Sequence, residues 1–182
     1  MAIERLRLFF ALWADDEVRR RVARLTRPWR SIHPYRWTAP DKLHLTLAFL
    51  GDIKPERVAE LYRIGQSLPV PAFELTLDKL EFWSRPEVLC LTASAVPEPL
   101  QTLVGQLNAA LDDARFPTEK RPYRPHLTLA RRAWQLPTLD AKFSGLAWKA
   151  QQCCLVESKP REMGSPYGIL RTLPMGESAH GA

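Results

Sequence analysis

The sequence predicts an α+β fold containing two related strands, and three observations carry that expectation. Several stretches alternate polar and apolar residues at period two, the mark of a half-buried strand. Between them lie segments whose apolar residues recur at helical spacing. One four-residue stretch also occurs twice: His44-Leu45-Thr46-Leu47 and His126-Leu127-Thr128-Leu129 lie 82 positions apart. With four His and ten Thr among 182 residues, His-x-Thr should arise about 0.2 times by chance. Two occurrences with the same Leu in both gaps point to an approximate internal duplication, too diverged to align beyond the motif.

In chain order, Arg5 to Leu12 reads as a strand. Asp15 or Asp16 caps a helix with Val18, Val22 and Leu25 on one face and Arg19, Arg20, Arg21 and Arg24 on a solvated outer face. Pro28, Pro34 and Pro40 predict a loop over 26–41. It carries His33, Tyr35, Arg36 and Trp37 and leads into the first motif strand, which Gly51 and Asp52 should end. Pro55 to Gln66 reads as a helix with its proline in the first turn. Phe73 to Phe82 alternates as one strand, Ser84 to Glu87 forms a hairpin turn, and Val88 to Thr92 is a short apolar strand. Glu98 to Ala114 is the clearest helix, with Leu100, Leu103, Val104, Leu107 and Leu111 in register. A basic loop, Phe116 to Pro125, enters the second motif strand; residues 131–144 are irregular. Ala147 to Glu157 and Tyr167 to Leu173 read as strands, and the tail from Pro174 should fray.

At 46% apolar residues the chain can bury a substantial core. Its net charge of +6 is a moderate basic excess, compatible with an ordinary surface or an anionic partner. Three cysteines, two of them adjacent (Cys153 and Cys154, with Cys90 apart), suit no disulfide framework and predict a reducing cytoplasm. The apolar run from Leu6 to Trp13 is broken by Arg7 and followed by acids, unlike a secretory signal, and no run is long enough to span a membrane.

Strand geometry gives the motif its chemistry. Residues i and i+2 share a face, so His44 and Thr46 face one way while Leu45 and Leu47 face the core; His126 and Thr128 stand likewise against Leu127 and Leu129. The next residues on the polar faces, Ala48 and Ala130, are small and should leave open space. Two such strands side by side would line a groove with two imidazoles and two hydroxyls. Imidazoles titrate near neutral pH, so one ring can donate a proton while the other accepts one. Threonine hydroxyls can hold the non-bridging oxygens of a phosphodiester. Each motif supplies one His and no carboxylate, which is not a metal-ligand set, and no cofactor is expected. A lone His is ordinarily structural, and His33, in a loop, and His180, in the tail, are read so.

The doubled motif resembles the two-histidine phosphoesterases. With its flanks, Arg5 to Leu12, Arg36-Trp37, Leu43 to Gly51 and Arg121 to Arg131, the chain is similar to the RNA 2′,3′-cyclic phosphodiesterases, also described as 2′-5′ RNA ligases. The resemblance implies two pseudo-symmetric α+β lobes, with antiparallel sheets flanking a central groove and helices outside, forming a single bilobal domain over residues 1–182. It implies ring opening of a terminal 2′,3′-cyclic phosphate to a 2′-phosphate, with His44 as proton donor and His126 as proton acceptor, and a reverse 2′-5′ ligation. The motifs, being identical, do not themselves separate the two roles. Thr46, Thr128 and Arg131 would bind the phosphate. Strict alternation puts Arg131 on the Leu face, and a bulge near Ala130 would bring it round; Arg132 has the right parity but matches less well. Tyr123 and Trp37 are candidates to stack a base, and Arg124, with Lys120 and Arg121, to contact RNA. The expected partner is RNA with a 2′,3′-cyclic phosphate end, such as tRNA fragments, bound by a monomer. The alternatives are the same chemistry on 2′-5′ oligoadenylates or small cyclic nucleotides, a non-catalytic RNA-binding module, and a metallophosphatase.

Overall fold

The computed structural model describes residues 5–68, 71–139, 143–159 and 166–176. Its elements run β1 (Leu6–Trp13), α1 (Asp16–Arg30), β2 (Arg36–Trp37), β3 (His44–Ile53), α2 (Val58–Gln66), β4 (Phe73–Leu77), β5 (Lys79–Trp83), β6 (Val88–Thr92), α3 (Glu98–Asp113), β7 (His126–Arg131), β8 (Leu146–Ala150), β9 (Gln152–Ser158) and β10 (Tyr167–Pro174). Short 3₁₀ turns precede β3 and α2, at Pro40–Lys42 and Pro55–Arg57. Eight strands form one antiparallel sheet in the order β10-β9-β1-β3-β7-β6-β5, with β2 also on β7; β4 and β8 form a separate pair. The α+β class with antiparallel sheets is as the sequence predicts.

The sheet is built from one unit used twice. In the first half β1 and β3 pair antiparallel and are joined through α1. In the second, β6 and β7 pair antiparallel and are joined through α3. The two motif strands meet at a single registered pair among the described residues, Leu45 opposite Leu127. Beyond it they diverge, and β2 takes up the free edge of β7, with Arg36 opposite Arg131 and Trp37 opposite Ala130. Thr38 comes next, its N–H donating to the Leu129 carbonyl at 2.8 Å.

One face of the sheet carries the core. Leu8, Phe10 and Leu12 of β1, Leu45 and Leu47 of β3, and Leu127 and Leu129 of β7 pack with Val18 and Val22 of α1, Leu61 of α2, and the Leu100, Leu103, Leu107 and Leu111 stripe of α3. Each fully buried leucine contributes about 1.5–3 kcal/mol. On the opposite face Phe9, Ala11, Cys154 and Val156 form a second, small cluster, with Trp13 and Tyr167 against it. Asp15 caps α1, accepting from the Val18 N–H at 2.8 Å.

Four expectations need correction. First, α1 does not end at residue 25 but runs through Pro28 to Arg30. Trp29 is buried and its indole N–H donates to the Thr138 carbonyl at 3.1 Å; that anchor outweighs the hydrogen bond Pro28 removes. Second, the 73–82 strand is two strands in two sheets, broken at Asp78, which accepts from the Ser94 N–H at 2.7 Å. Third, 147–157 likewise splits at Gln151, into β8 in the small sheet and β9 in the large one. At each switch two polar residues stand together, Asp78-Lys79 and Gln151-Gln152, and the apolar positions change parity, a break that reading each stretch as one strand passes over. Fourth, β3 continues past Gly51 to Ile53. Gly51 adopts φ +70° where the register against β1 slips between Leu8 and Phe9, a backbone state glycine reaches without strain. Pro174 still belongs to β10; residues 177–182 of the tail lie outside the described residues.

Leu45 is fully buried at the registered pair between the two motif strands, so Leu45→Ala should cost about 2–5 kcal/mol, the range for a buried leucine truncation. Urea unfolding would show it as a lower midpoint.

Candidate active site

Both motif strands carry a β-bulge at the same position. Against β1, Thr46 pairs with Ala11 and Ala48 with Phe10, leaving Leu47 as the extra residue. Against β6, Thr128 pairs with Cys90 and Ala130 with Leu89, leaving Leu129 extra. A bulge shifts the alternation by one residue. Ala48 and Ala130 therefore turn into the core, 8% and 0% exposed, instead of leaving open space beside the threonines. The next residues on the histidine face are Phe49 in the first strand and Arg131 in the second. The bulge thus brings Arg131 onto the histidine face, whereas Arg132 takes a left-handed φ of +54° and does not line the groove. At the matching place in the first strand Phe49 lies half-exposed, with the Arg7 guanidinium 4.8 Å from its ring centre.

The result is a groove in the wedge where β3 and β7 part. It is lined by His44 and Thr46 from β3, His126, Thr128 and Arg131 from β7, and Thr38, Lys42 and Tyr167. The two rings are fixed in the same way. Nδ1 of His44 lies 2.8 Å from the Lys42 carbonyl, and Nδ1 of His126 lies 2.9 Å from the Arg124 carbonyl. A carbonyl only accepts, so Nδ1 carries the hydrogen in both rings and Nε2 is the nitrogen that gains or loses the proton.

Their surroundings differ. His44 is walled by Trp13, stacked at 5.1 Å and 5°, by Phe9 at 5.2 Å and by the edge of Tyr167 at 5.2 Å. Burial pushes its pKa down to about 4, against the Lys42 carbonyl bond, with Arg131 and His126 adding repulsion. His126 has Trp83 at 4.8 Å, inclined by 55°. That indole donates to Glu81 at 2.6 Å, and Glu81 also accepts from Thr92 at 3.0 Å and pairs with Arg124 at 3.0 Å. The Trp83 bond foremost, then Thr92 and Arg124, holds the Glu81 carboxyl below its usual range against its partial burial.

The two aromatic candidates for base stacking each make a polar bond within the fold. The Tyr123 hydroxyl donates to the Thr46 carbonyl at 3.0 Å, and burial raises its pKa. The Trp37 indole donates to the His33 carbonyl at 3.0 Å, and the Arg30 guanidinium lies 5.2 Å from its ring centre. Both rings are thus anchored within the fold. In the basic loop, Lys120 pairs with Asp112 at 3.1 Å, Arg121 with Glu119, and Arg124 with Glu81. Lys42 and Arg131, inside the groove, have instead no side-chain ion pair or hydrogen bond among the described residues. Sequence reasoning missed Lys42, Thr38, Trp13, Trp83 and Tyr167. For Lys42 a signal existed, since each motif histidine follows a cation by two positions, Lys42 before His44 and Arg124 before His126. Among the described residues no three His, Cys, Asp or Glu side chains are placed to hold a metal ion, and no helix is long and apolar enough to cross a membrane.

Two imidazoles with matched tautomers, two threonines and a guanidinium around one groove on a duplicated α+β frame define a two-histidine phosphoesterase. The chain belongs to the LigT-like phosphoesterase family, whose model matches it twice in tandem, over residues 12–90 and 91–163, with one His-Leu-Thr-Leu in each. It is 34% identical over 137 residues to the RNA 2′,3′-cyclic phosphodiesterase of Escherichia coli K12, covering 73% of this chain and 76% of that one. It is 30% identical over 179 residues to the Thermus thermophilus protein of the same name, covering 91% and 88%. Among solved structures it is similar to E. coli LigT complexed with 3′-AMP, with a TM-score of 0.81 and 30% identity over 94% of this chain and 99% of that one.

The His44 environment has a consequence for stability. Unfolded, its pKa is about 6.5; folded, it is about 4. Between those values the unfolded chain binds more protons, so the contribution is complete above pH 6.5 and is lost as pH falls toward 4. Urea unfolding at pH 7 and pH 4.5 should differ by about 2–3 kcal/mol from this ring, and His44→Gln should remove that share of the difference.

Proposed function

We propose that the protein is a metal-independent RNA 2′,3′-cyclic phosphodiesterase that opens the terminal ring to a 2′-phosphate. One observation carries the reading: the two motif histidines, each with Nδ1 held by the carbonyl two residues back, share one groove with Arg131. Nε2 of His126 takes a proton from water as the water oxygen bonds to phosphorus. His44 gives a proton to the 3′ oxygen as the P–O3′ bond breaks, leaving a 2′-phosphate and a 3′ hydroxyl. Attack and departure on opposite sides of phosphorus suit two rings on diverging strands. Thr46 and Thr128 donate to the non-bridging oxygens, and Arg131 pairs with their charge.

The resemblance assigns His44 as donor, a role that requires the ring to be protonated in the complex, because burial holds its pKa down to about 4 in the free site. An imidazolium inside an aromatic wall gives up its proton readily, and the bound phosphate anion supplies the opposite charge that lets His44 carry it in the complex. In the free site at neutral pH the ring is neutral. By microscopic reversibility the same groups would join a 2′,3′-cyclic end to a 5′ hydroxyl through a 2′-5′ link. Each matched half supplies one histidine, so the two halves act as a single catalytic unit. The names of the E. coli and Thermus relatives, and the 3′-AMP held by E. coli LigT, support an RNA end as substrate. Three free, buried cysteines fit a reducing cytoplasm.

The test is hydrolysis of an RNA oligonucleotide ending in a 2′,3′-cyclic phosphate, in EDTA. The wild type should form the 2′-phosphate, and His44→Ala and His126→Ala should each lose roughly 10²-fold or more in kcat. Turnover that survives loss of either ring would overturn the paired-histidine mechanism. Arg131→Ala should act chiefly on KM, by about tenfold or more, as expected for loss of a charge-assisted contact to the phosphate.

A further inference from the structure

The strand that fills the wedge brings a second guanidinium to the groove. Arg36 of β2 lies directly opposite Arg131 of β7 in an antiparallel pair, and such cross-strand partners project from the same face. Thr38, two residues on and therefore on that face as well, lines the groove. Arg36 thus stands on the histidine face, one step farther out than the residues that enclose the reacting phosphate. Both arginines are exposed, and neither has a side-chain ion pair or hydrogen bond among the described residues.

This pairing needs an explanation. Like charges directly opposite one another weaken a sheet. Elsewhere near the site each cation of the basic loop has its acid: Arg124 has Glu81, Lys120 has Asp112 and Arg121 has Glu119. A two-residue strand with an uncompensated arginine beside another arginine is suited to an anion that bridges or lines up along them. Within the groove, Arg131, Lys42, Thr46 and Thr128 offer enough donors for one phosphate. An RNA end with a cyclic phosphate carries its next negative charge on the phosphodiester at the 5′ side of the same nucleotide. A mononucleoside cyclic phosphate has none.

Resting on the phosphodiesterase reading above, we propose that Arg36 is a second phosphate site. It receives the phosphodiester 5′ of the terminal nucleotide, so that the enzyme favours oligonucleotide ends over mononucleoside 2′,3′-cyclic phosphates. Arg36 is a specificity residue: it holds the neighbouring phosphate and leaves the reacting one to Arg131.

The experiment compares a dinucleotide and a mononucleoside, both ending in a 2′,3′-cyclic phosphate, as substrates of wild type, Arg36→Gln and Arg36→Lys. In parallel it measures equilibrium binding of a dinucleotide with a 3′-phosphate against salt. Wild type should favour the dinucleotide in kcat/KM by about tenfold, the value of one charge-assisted contact. In R36Q that ratio should fall to about one, through KM, and R36K should restore part of it. The slope of log K against log salt should lessen by about 0.7 in R36Q, as for one phosphate contact to a single strand. A wild type that treats both substrates alike, or an R36Q that loses the same factor on both, would overturn the proposal. If wild type turns over neither substrate yet binding of the dinucleotide keeps its Arg36-dependent salt slope, the phosphodiesterase reading fails and the second phosphate site stands.

Discussion

The site depends on where β3 and β7 touch and where they part. A single leucine pair, Leu45 opposite Leu127, holds the two motif strands together. Had they continued to pair, His44, Thr46, His126 and Thr128 would lie on a flat sheet face with no depth between them. Because they part, the gap becomes a groove, and β2 bonds to the edge of β7 that β3 leaves free. The extended backbone there still finds partners, as Thr38 shows with its bond to Leu129, so the wedge opens without leaving those donors unsatisfied.

The second constraint is the bulge that each motif strand carries one residue past its threonine. It does two things with one extra residue. It sends Leu47 and Ala48, and likewise Leu129 and Ala130, into the core together, anchoring the strand under the site. It also reverses the parity of the residues beyond it, so that the next side chain on the groove face is Phe49 in one half and Arg131 in the other. The duplicated frame therefore ends in an apolar ring on one side and a guanidinium on the other, a polarity that the two identical tetrapeptides do not contain.

The same holds for the histidines. Their backbone bonds to Lys42 and Arg124 are copies of each other, so tautomer and ring orientation come from the duplicated unit. Their surroundings come from other strands: Trp13, Phe9 and Tyr167 wall His44 and lower its pKa by burial, whereas beside His126 stands Trp83, tied into the Glu81 and Arg124 network. Two chemically equal groups thus become unequal through what the sheet order places beside them.

The local pattern of this sequence determines its helices, most of its strands, and the pair of histidines and threonines, because period, capping and a repeated tetrapeptide are properties of neighbours along the chain. Asp15 capping α1, the leucine stripe of α3 and the shared face of His44 and Thr46 are all legible there. Tertiary structure alone decided the rest. The apolar positions change parity at Asp78-Lys79 and at Gln151-Gln152, but that the chain changes sheets there is set by the partner strands on either side. Trp29 carries α1 past a proline because Thr138, more than a hundred residues on, accepts its indole hydrogen. Tyr123 and Trp37, candidates for base stacking in sequence, are tied to the Thr46 and His33 carbonyls. Arg131 reaches the groove only through a bulge whose partner strand is β6, and Trp13 meets His44 only because β1 and β3 pair in that register. Each of these turns on which strand lies beside which, and long-range pairing leaves no period in the sequence to read.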